Sequence, residues 1–168
     1  MIKKTVFLTG GTGNMGWAGF QELYARKERF DIRLLARDSK KNRKMLSKYL
    51  ADPAVTVIWG DLTRYEDVLE GVSGSDYVLH VGGMVSPAAD YFPEKTLKVN
   101  VTAAENVVKA VLAQPNKEEM RVVYIGSVAQ YGDRNPPCHW GDVNEPQTPA
   151  EGDMYALSKI RSEEIFAQ

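Results

Sequence analysis

A glycine-rich segment near the N-terminus constrains the fold of this chain more than any other feature. Residues 9–16, TGGTGNMG, follow a short apolar run at 4–9 and precede apolar residues at helical spacing from 14 to about 29. Glycine permits a tight turn and lets another backbone or a ligand come close. The first turn of a helix offers unpaired N–H groups and a positive dipole end, which favour an anion. The segment therefore predicts a strand–turn–helix unit that holds a phosphate group at its turn.

Strand-like and helix-like segments alternate along the chain. The predicted strands are 4–9, 32–35, 55–59, 77–81 and 122–125, and the predicted helices are 14–29, 40–50, 64–69, 94–113 and 154–168. Strands this rich in Val, Ile and Leu indicate a parallel sheet covered on both faces. Right-handed crossovers then favour the order 3-2-1-4-5. We therefore predict an α/β fold, a doubly wound, Rossmann-like parallel sheet in one domain of residues 1–168, with a proline-containing loop at 132–152.

Composition narrows the classes of partner. The 168 residues are 43% hydrophobic and 26% charged with a formal net charge of −1, which is typical of a globular protein and argues against nucleic acid as a partner. No run approaches the length of a membrane helix. Cys138 is the single cysteine, so a reducing, cytoplasmic location is expected. His139 lies next to Cys138, and the other histidine, His80, is distant in sequence, so no metal site is predicted. His80 is expected to be a core residue.

The glycine segment also matches a nucleotide-binding fingerprint. Gly11, Gly13 and Gly16 have the G-x-G-x-x-G spacing after a strand and before a helix, which is the context in which this motif binds the pyrophosphate of a dinucleotide. A tight turn without a ligand is the alternative.

The end of the second predicted strand bears on which dinucleotide is bound. An acid there would bind the ribose 2′-hydroxyl of NAD, but the position holds Ala36, followed by Arg37. An arginine can form a bidentate contact with a 2′-phosphate, so we predict NADP in preference to NAD. Asp38 could instead bind a ribose, and the nearby cations could be the solvated face of a helix.

Later motifs, taken together with the glycine turn, resemble the extended short-chain dehydrogenase/reductase family, which includes sugar-nucleotide epimerases and dihydroflavonol-type reductases. The resemblance spans the whole chain. Its motifs are Gly10-x-x-Gly13-x-x-Gly16, Gly60-Asp61-Leu62, His80-Val81-Gly82-Gly83, Asn100 in the long helix, Ser127 after the fifth strand, and Tyr155-x-x-x-Lys159.

The resemblance implies a catalytic set. Residues four apart share one helix face, so Tyr155 and Lys159 can point into one site. A nearby ammonium favours the phenolate form of a tyrosine. The family pattern implies that Tyr155 exchanges a proton with the substrate oxygen, that Ser127 donates a hydrogen bond to that oxygen, and that Asn100 serves a water-mediated proton path. The alternatives are a surface tyrosine and lysine, a strand-end cap at Ser127 and a structural Asn100.

The resemblance also implies contacts with the cofactor. Asp61 is expected to bind the adenine amino group, Leu62 to pack on the adenine ring, and Lys159 to hold the nicotinamide ribose. The full set of predicted cofactor-binding residues is Gly10, Gly13, Asn14, Met15, Gly16, Arg37, Asp61, Leu62, Val81, Gly82 and Lys159.

The activity implied is that of an NAD(P)-dependent oxidoreductase, with hydride transfer to a carbonyl or from an alcohol. A nucleotide-sugar epimerase or dehydratase is the enzymatic alternative, and a dinucleotide-sensing module is the non-enzymatic one. Asn14, where many members carry an aromatic residue, and the missing C-terminal substrate lobe support the sensing alternative, whereas the intact Ser127, Tyr155 and Lys159 argue against it.

Two further expectations come from the family. Its members are considerably longer, so we expect the C-terminal substrate lobe to be missing and this chain to bind cofactor with little turnover. Related enzymes form a four-helix dimer interface from the helix that contains the tyrosine and the long helix that precedes it, so we expect a homodimer. The candidate apolar interface positions are Leu97, Val101, Val108, Leu112, Leu157, Ile160 and Phe166.

Overall fold

Strands and helices alternate as predicted. The computed structural model describes residues 2–134, 137 and 141–168. The strands are β1 (Lys4–Thr9), β2 (Phe30–Ala36), β3 (Val55–Trp59), β4 (Tyr77–His80) and β5 (Arg121–Tyr124). The α-helices are α1 (Asn14–Tyr24), α2 (Lys40–Leu46), α3 (Tyr65–Val72), α4 (Ala88–Tyr91), α5 (Pro93–Leu112) and α6 (Met154–Phe166). Short 3₁₀ helices occupy Ser47–Tyr49 and Val128–Tyr131.

The five strands form one parallel sheet in the order β3-β2-β1-β4-β5. The predicted order and the doubly wound fold are therefore confirmed. In the register of the sheet, Phe7 of β1 lies beside Arg33 of β2 and Val78 of β4. Because parallel strands end at the same edge, the residues that follow β1, β2, β3 and β4 share the carboxyl edge of the sheet, where ligands of open α/β sheets bind.

The chain forms two compact units. The first comprises Met1–Gly82 and Asn106–Tyr124 and contains the whole sheet. The second comprises Gly83–Glu105 and Ile125–Gln168 and contains α6. The assignment of 1–168 to one domain stays a prediction.

An aromatic cluster fills the first unit beside α1. Phe20 is fully buried and its ring lies edge-on to Tyr49, with centroids 4.8 Å apart. Tyr24 and Trp17 contact the same Tyr49 ring at 4.9 and 5.9 Å. Edge-to-face aromatic pairs stabilise a core beyond their burial alone. This packing places Tyr49 inside the unit and accompanies the change from α2 to a 3₁₀ turn at Ser47–Tyr49.

Several predicted boundaries were wrong. Helix α1 ends at Tyr24 and not near Arg29, because residues 25–29 form successive turns in which Arg26, Lys27 and Arg29 donate to carbonyls three residues earlier. Helix α3 extends to Val72, a buried residue, and β5 covers Arg121–Tyr124 rather than 122–125. The helices at 88–91 and 128–131 were not predicted, since four residues are too few to show a period.

The described residues contain neither a membrane-spanning helix nor a cluster of metal-binding side chains. Among the described helices, none combines the length and the apolar character that crossing a membrane requires. Within 2–134, 137 and 141–168, His, Cys, Asp and Glu side chains form no group of three or more that could hold a metal ion. Cys138 and His139 lie outside the described residues.

Candidate functional site

The turn between β1 and α1 is held by close backbone contacts. Gly10 has φ of 70°, a conformation that side chains disfavour, and its carbonyl accepts the N–H of Gly13 at 2.9 Å. A Cβ on Gly16 would lie 2.0 Å from the Gly10 carbonyl oxygen, and one on Gly10 would lie 2.6 Å from Cα of Gly82. Any side chain at Gly10 or Gly16 would therefore collide with backbone atoms, so both positions need glycine. Gly11 is instead limited by the flexible Leu34 side chain, at 2.4 Å from a built Cβ.

The N-terminus of α1 has the form of an anion site. Gly13 is the N-cap and supplies no side chain to accept the N–H groups of the first turn. A Cβ at Gly13 would meet only the Gly10 oxygen, at 3.4 Å, so the described chain leaves space beside this cap. Asn14 and Met15 are exposed, and the first turn contains no acidic residue to repel an anion. These observations fit a pyrophosphate, whose oxygens accept hydrogen bonds from such N–H groups.

A buried hydroxyl joins the ends of β1 and β4 beside this turn. Thr9 Oγ1 accepts the N–H of Gly82 at 3.0 Å and lies 2.9 Å from Nδ1 of His80. Thr9 and His80 are both buried, as expected for His80 as a core residue. Thr9 was not predicted as a site residue, although its place directly before Gly10 was the available signal.

At the end of β2 the charged side chains are already partly arranged. Ala36, at the position where an acid would bind a ribose, is buried, whereas Arg37 is exposed. Asp38 accepts two hydrogen bonds from Arg43, at 2.5 and 2.7 Å, and the bond from Arg43 holds the pKa of Asp38 below its usual range. The Arg43 guanidinium also lies over the Trp59 ring, 4.7 Å from its centroid. The Asp38 carboxylate is therefore already paired with the Arg43 guanidinium.

The end of β3 is fixed by Asp61 and its neighbours. One carboxylate oxygen of Asp61 accepts hydrogen bonds from the N–H and the hydroxyl of Thr63, at 2.8 and 2.7 Å. Burial opposes ionisation of Asp61, but the bonds from Thr63 and the nearby Arg37 outweigh it and lower its pKa. The carbonyl of Leu62 accepts from Asn106 Nδ2 at 2.8 Å. Asn106, which was not predicted as a site residue, thereby orients the segment that precedes α3.

In the second unit, α6 carries Tyr155 and Lys159. Asp153 caps the helix by accepting the N–H of Ala156 at 2.8 Å, which fixes where the helix begins. Lys159 is buried and donates from Nζ to the carbonyl of Ile125 at 2.9 Å. Its Nζ lies 6.0 Å from the centroid of the Tyr155 ring, and burial lowers the pKa of the Lys159 amine. The structure thus brings the predicted tyrosine and lysine together on one face of α6.

Ser127 and Asn100 are both held by hydrogen bonds within the second unit. Ser127 caps the 3₁₀ helix by accepting the N–H of Ala129 at 3.3 Å and remains partly exposed. Asn100 is buried and bonds the N–H and carbonyl of Met84, at 2.7 and 3.0 Å, and Oγ of Ser158, at 2.9 Å. Both amide hydrogens of Asn100 are used in these contacts, which tie α5 to α6.

Comparison with known proteins identifies the family. The model of the NAD dependent epimerase/dehydratase family matches residues 6–168. The chain belongs to this family. A curated relative is the UDP-glucose 4-epimerase of Rickettsia canadensis, 34% identical over 115 residues, which covers 66% of this chain and 33% of that protein.

Solved structures share the fold. The UDP-Glc/GlcNAc 4-epimerase of Campylobacter jejuni superposes with a TM-score of 0.79 at 20% identity, over 98% of this chain and 48% of that one. The UDP-glucose 4-epimerase of Thermus thermophilus, solved as a complex with NAD, gives 0.74 at 22% identity, over 97% of this chain and 50% of that one. The chain spans about half the length of these solved chains and one third of the Rickettsia relative.

Proposed function

We propose that this chain is the cofactor-binding part of an NAD(P)-dependent oxidoreductase of the short-chain dehydrogenase type. The observation that carries the proposal is the glycine turn of β1 and α1, where Gly13 leaves the first turn of the helix uncapped and open to an anion. In this proposal the pyrophosphate binds the N–H groups of Asn14, Met15 and Gly16. Asp61 and Leu62 receive the adenine, with Val81 and Gly82 lining the same edge of the sheet.

Four residues of the second unit are proposed to act in catalysis. The nicotinamide ring, when bound, supplies or accepts a hydride at the substrate carbon. Tyr155 donates a proton to the substrate oxygen during reduction, or removes it during oxidation. Ser127 donates a hydrogen bond to the oxygen as negative charge develops on it. Lys159, whose Nζ lies 6.0 Å from the centroid of the Tyr155 ring, holds the nicotinamide ribose, and Asn100 holds the segment at Met84 and serves the proton path.

The exposed Arg37 supports NADP as the preferred cofactor. The carboxylate nearest to it along the chain, Asp38, already accepts two bonds from Arg43, so a ribose 2′-hydroxyl would have to displace an ion pair to bind it. A 2′-phosphate gains a bidentate partner at Arg37 instead. NAD remains the weaker ligand in this proposal.

The substrate class we favour is a small carbonyl compound or alcohol. A nucleotide-sugar epimerase is the second candidate, because the Rickettsia relative at 34% identity is a UDP-glucose 4-epimerase. A reductase acting on small carbonyl compounds and an epimerase begin with the same hydride transfer. They differ in whether a UDP-hexose is a substrate.

We also propose that the chain forms a homodimer. Leu97 and Val101 of α5 and Leu157 of α6 line one groove of the second unit. Apolar side chains gathered on such a helical face gain stability when a partner covers them.

Cofactor titration tests the proposal. NADPH and NADH are titrated into the chain by calorimetry, into Arg37→Ala, and into a control, Arg29→Ala, which removes the same charge at the opposite end of β2. We expect NADPH to bind more tightly than NADH. Arg37→Ala should shrink the difference by about 1.5–3 kcal/mol, the contribution of a hydrogen bond to a charged group, and Arg29→Ala should leave it unchanged. Equal affinities for the two cofactors in the unaltered chain would refute the NADP preference.

A further inference from the structure

A buried glutamine lies directly behind Ser127 in the second unit. Gln130 is 2% exposed, and its Oε1 accepts the backbone N–H of Ser127 at 2.7 Å. The Ser127 hydroxyl in turn accepts the N–H of Ala129. Ser127 and Gln130 thus form a reciprocal capping box around the start of the 3₁₀ helix. The backbone N–H and the hydroxyl oxygen of Ser127 are therefore both held by local hydrogen bonds.

The other end of the same amide is bound to α6. Gln130 Nε2 donates to the carboxylate of Glu163, which also accepts from Gln147 Nε2 at 3.3 Å. An ionised carboxylate can only accept, so Nε2 must face Glu163 and Oε1 must face the Ser127 N–H. The charge of Glu163 thus determines which way the Gln130 amide points.

Glu163 also belongs to the face of α6 that carries the catalytic pair. Tyr155, Lys159 and Glu163 follow one another at intervals of four, which places them along one side of the helix. Lys159 donates to the carbonyl of Ile125, and Glu163 accepts from Gln130, so α6 binds the segment around Ser127 at two points. A Cβ on Gly126 would lie 3.0 Å from Gln130 Oε1, so the segment between these points passes close to the amide.

We infer that Gln130 and Glu163 are positioning residues, which hold the Ser127 hydroxyl in a fixed relation to Tyr155 on α6. The inference rests on the proposed function, in which Ser127 donates to the substrate oxygen. Within the described residues the hydroxyl hydrogen of Ser127 has no acceptor, so the group is available as a donor while its oxygen is restrained. Loss of the restraint leaves every reacting group in place and reduces the rate by misplacing one of them.

Amide hydrogen exchange tests the restraint in this chain. Gln130→Met is compared with Gln114→Met, a control at another buried glutamine whose amide donates to the Ala110 carbonyl. We expect Gln130→Met to speed exchange of the Ser127 amide by about 2- to 10-fold, because this amide loses its hydrogen bond and that factor corresponds to the net stability of one such bond. The Ala156 amide, bound to Asp153, should not change. Equal acceleration of both amides would indicate general destabilisation and overturn the inference.

Glu163→Gln provides a second variant, because it keeps the shape of the side chain if Gln130→Met fails to fold. Its new amide can present either an oxygen or a nitrogen, so the direction of the Gln130 amide is no longer imposed. Exchange of the Ser127 amide should again rise, by a smaller factor. Unchanged protection of Ser127 in this variant would contradict the role given to the charge of Glu163.

A double-mutant cycle on kcat of the full-length gene product separates this inference from the proposed function. We expect Ser127→Ala to reduce kcat by about 10²–10³-fold and Gln130→Met to reduce it by up to about 10²-fold. In the Ser127→Ala background Gln130→Met should have no further effect. Additive losses would overturn the positioning role while leaving Ser127 catalytic. No effect of Ser127→Ala would instead refute the proposed function and, with it, the basis of this inference.

Discussion

The replacement of Gly16 by alanine tests the geometry of the turn that we propose binds the pyrophosphate. A Cβ at Gly16 would lie 2.0 Å from the carbonyl oxygen of Gly10 and 2.5 Å from its carbonyl carbon. These are backbone atoms, so no side-chain rotation can relieve the contact and the turn itself has to move. Gly19 lies in the same helix, and a Cβ there meets nothing within 4 Å. Gly19→Ala is therefore a matched control with the same chemical change.

The two variants differ by the cost of the contact alone. Alanine is favoured over glycine in a helix by about 1 kcal/mol, so Gly19→Ala should stabilise the chain by about that amount. Gly16→Ala receives a similar gain but pays an overpacking cost of about 1–3 kcal/mol. Its Tm should therefore lie roughly 2–12 °C below that of Gly19→Ala, at about 2–4 °C per kcal/mol.

The assay combines thermal unfolding with NADPH titration. We expect Gly19→Ala to bind NADPH like the unaltered chain and Gly16→Ala to bind it much more weakly, because the displaced Gly10 carbonyl changes the turn proposed to bind the pyrophosphate. Equal Tm values for the two variants, together with equal NADPH affinities, would refute the account of this turn.

Three further predictions concern pH, catalysis and assembly. Lys27, through a side-chain hydrogen bond, lowers the pKa of Asp52 from 3.8 to about 2, so the bond stabilises the fold above pH 3.8 and is lost as the pH falls through 2. Asp52→Asn should accordingly lower the Tm at pH 7 and lower it much less near pH 2, where part of Asp52 is protonated. An equal decrease in Tm at both pH values would contradict this. In the full-length gene product, Tyr155→Phe should lower the rate of carbonyl reduction by about 10²–10⁴-fold and leave cofactor affinity unchanged. The rate is measured from the decrease in NADPH absorbance. The control Tyr65→Phe should retain activity, and full activity in Tyr155→Phe would show that the proposed mechanism is wrong. Sedimentation velocity should show a dimer that Leu157→Glu dissociates, and a monomeric unaltered chain would exclude the proposed pairing.

Local patterns were sufficient to predict most of the fold. The bounds of β1 and β3 were predicted without error, because each is a compact apolar run closed by glycines or charged residues. The sheet order followed from strand–helix alternation and the handedness of crossovers. The end of α2 could not be predicted, because the 3₁₀ turn at 47–49 accompanies the burial of Tyr49 against Phe20, a contact between residues 29 positions apart.

The candidate site was predictable where the chemistry depends on spacing. Tyr155 and Lys159 four residues apart, and the glycines of the first turn, are visible in the sequence. Thr9, Asn106, Gln130 and Glu163 were not predicted, because each acts through a partner distant in the chain. Gln130, for example, reaches Glu163 across 33 positions, and no pattern around either residue indicates the pair.

NMR titration of NADPH into the ¹⁵N-labelled chain tests directly whether the glycine turn binds the cofactor. We predict saturable binding of one NADPH per chain, with the largest shifts at the amides of Asn14, Met15 and Gly16, which are proposed to bind the pyrophosphate. The amide of Val122, on the edge strand β5, should shift little by comparison. A folded chain that shows no saturable binding, or one that binds NADPH while the amides of residues 14–16 keep their positions, would contradict this prediction.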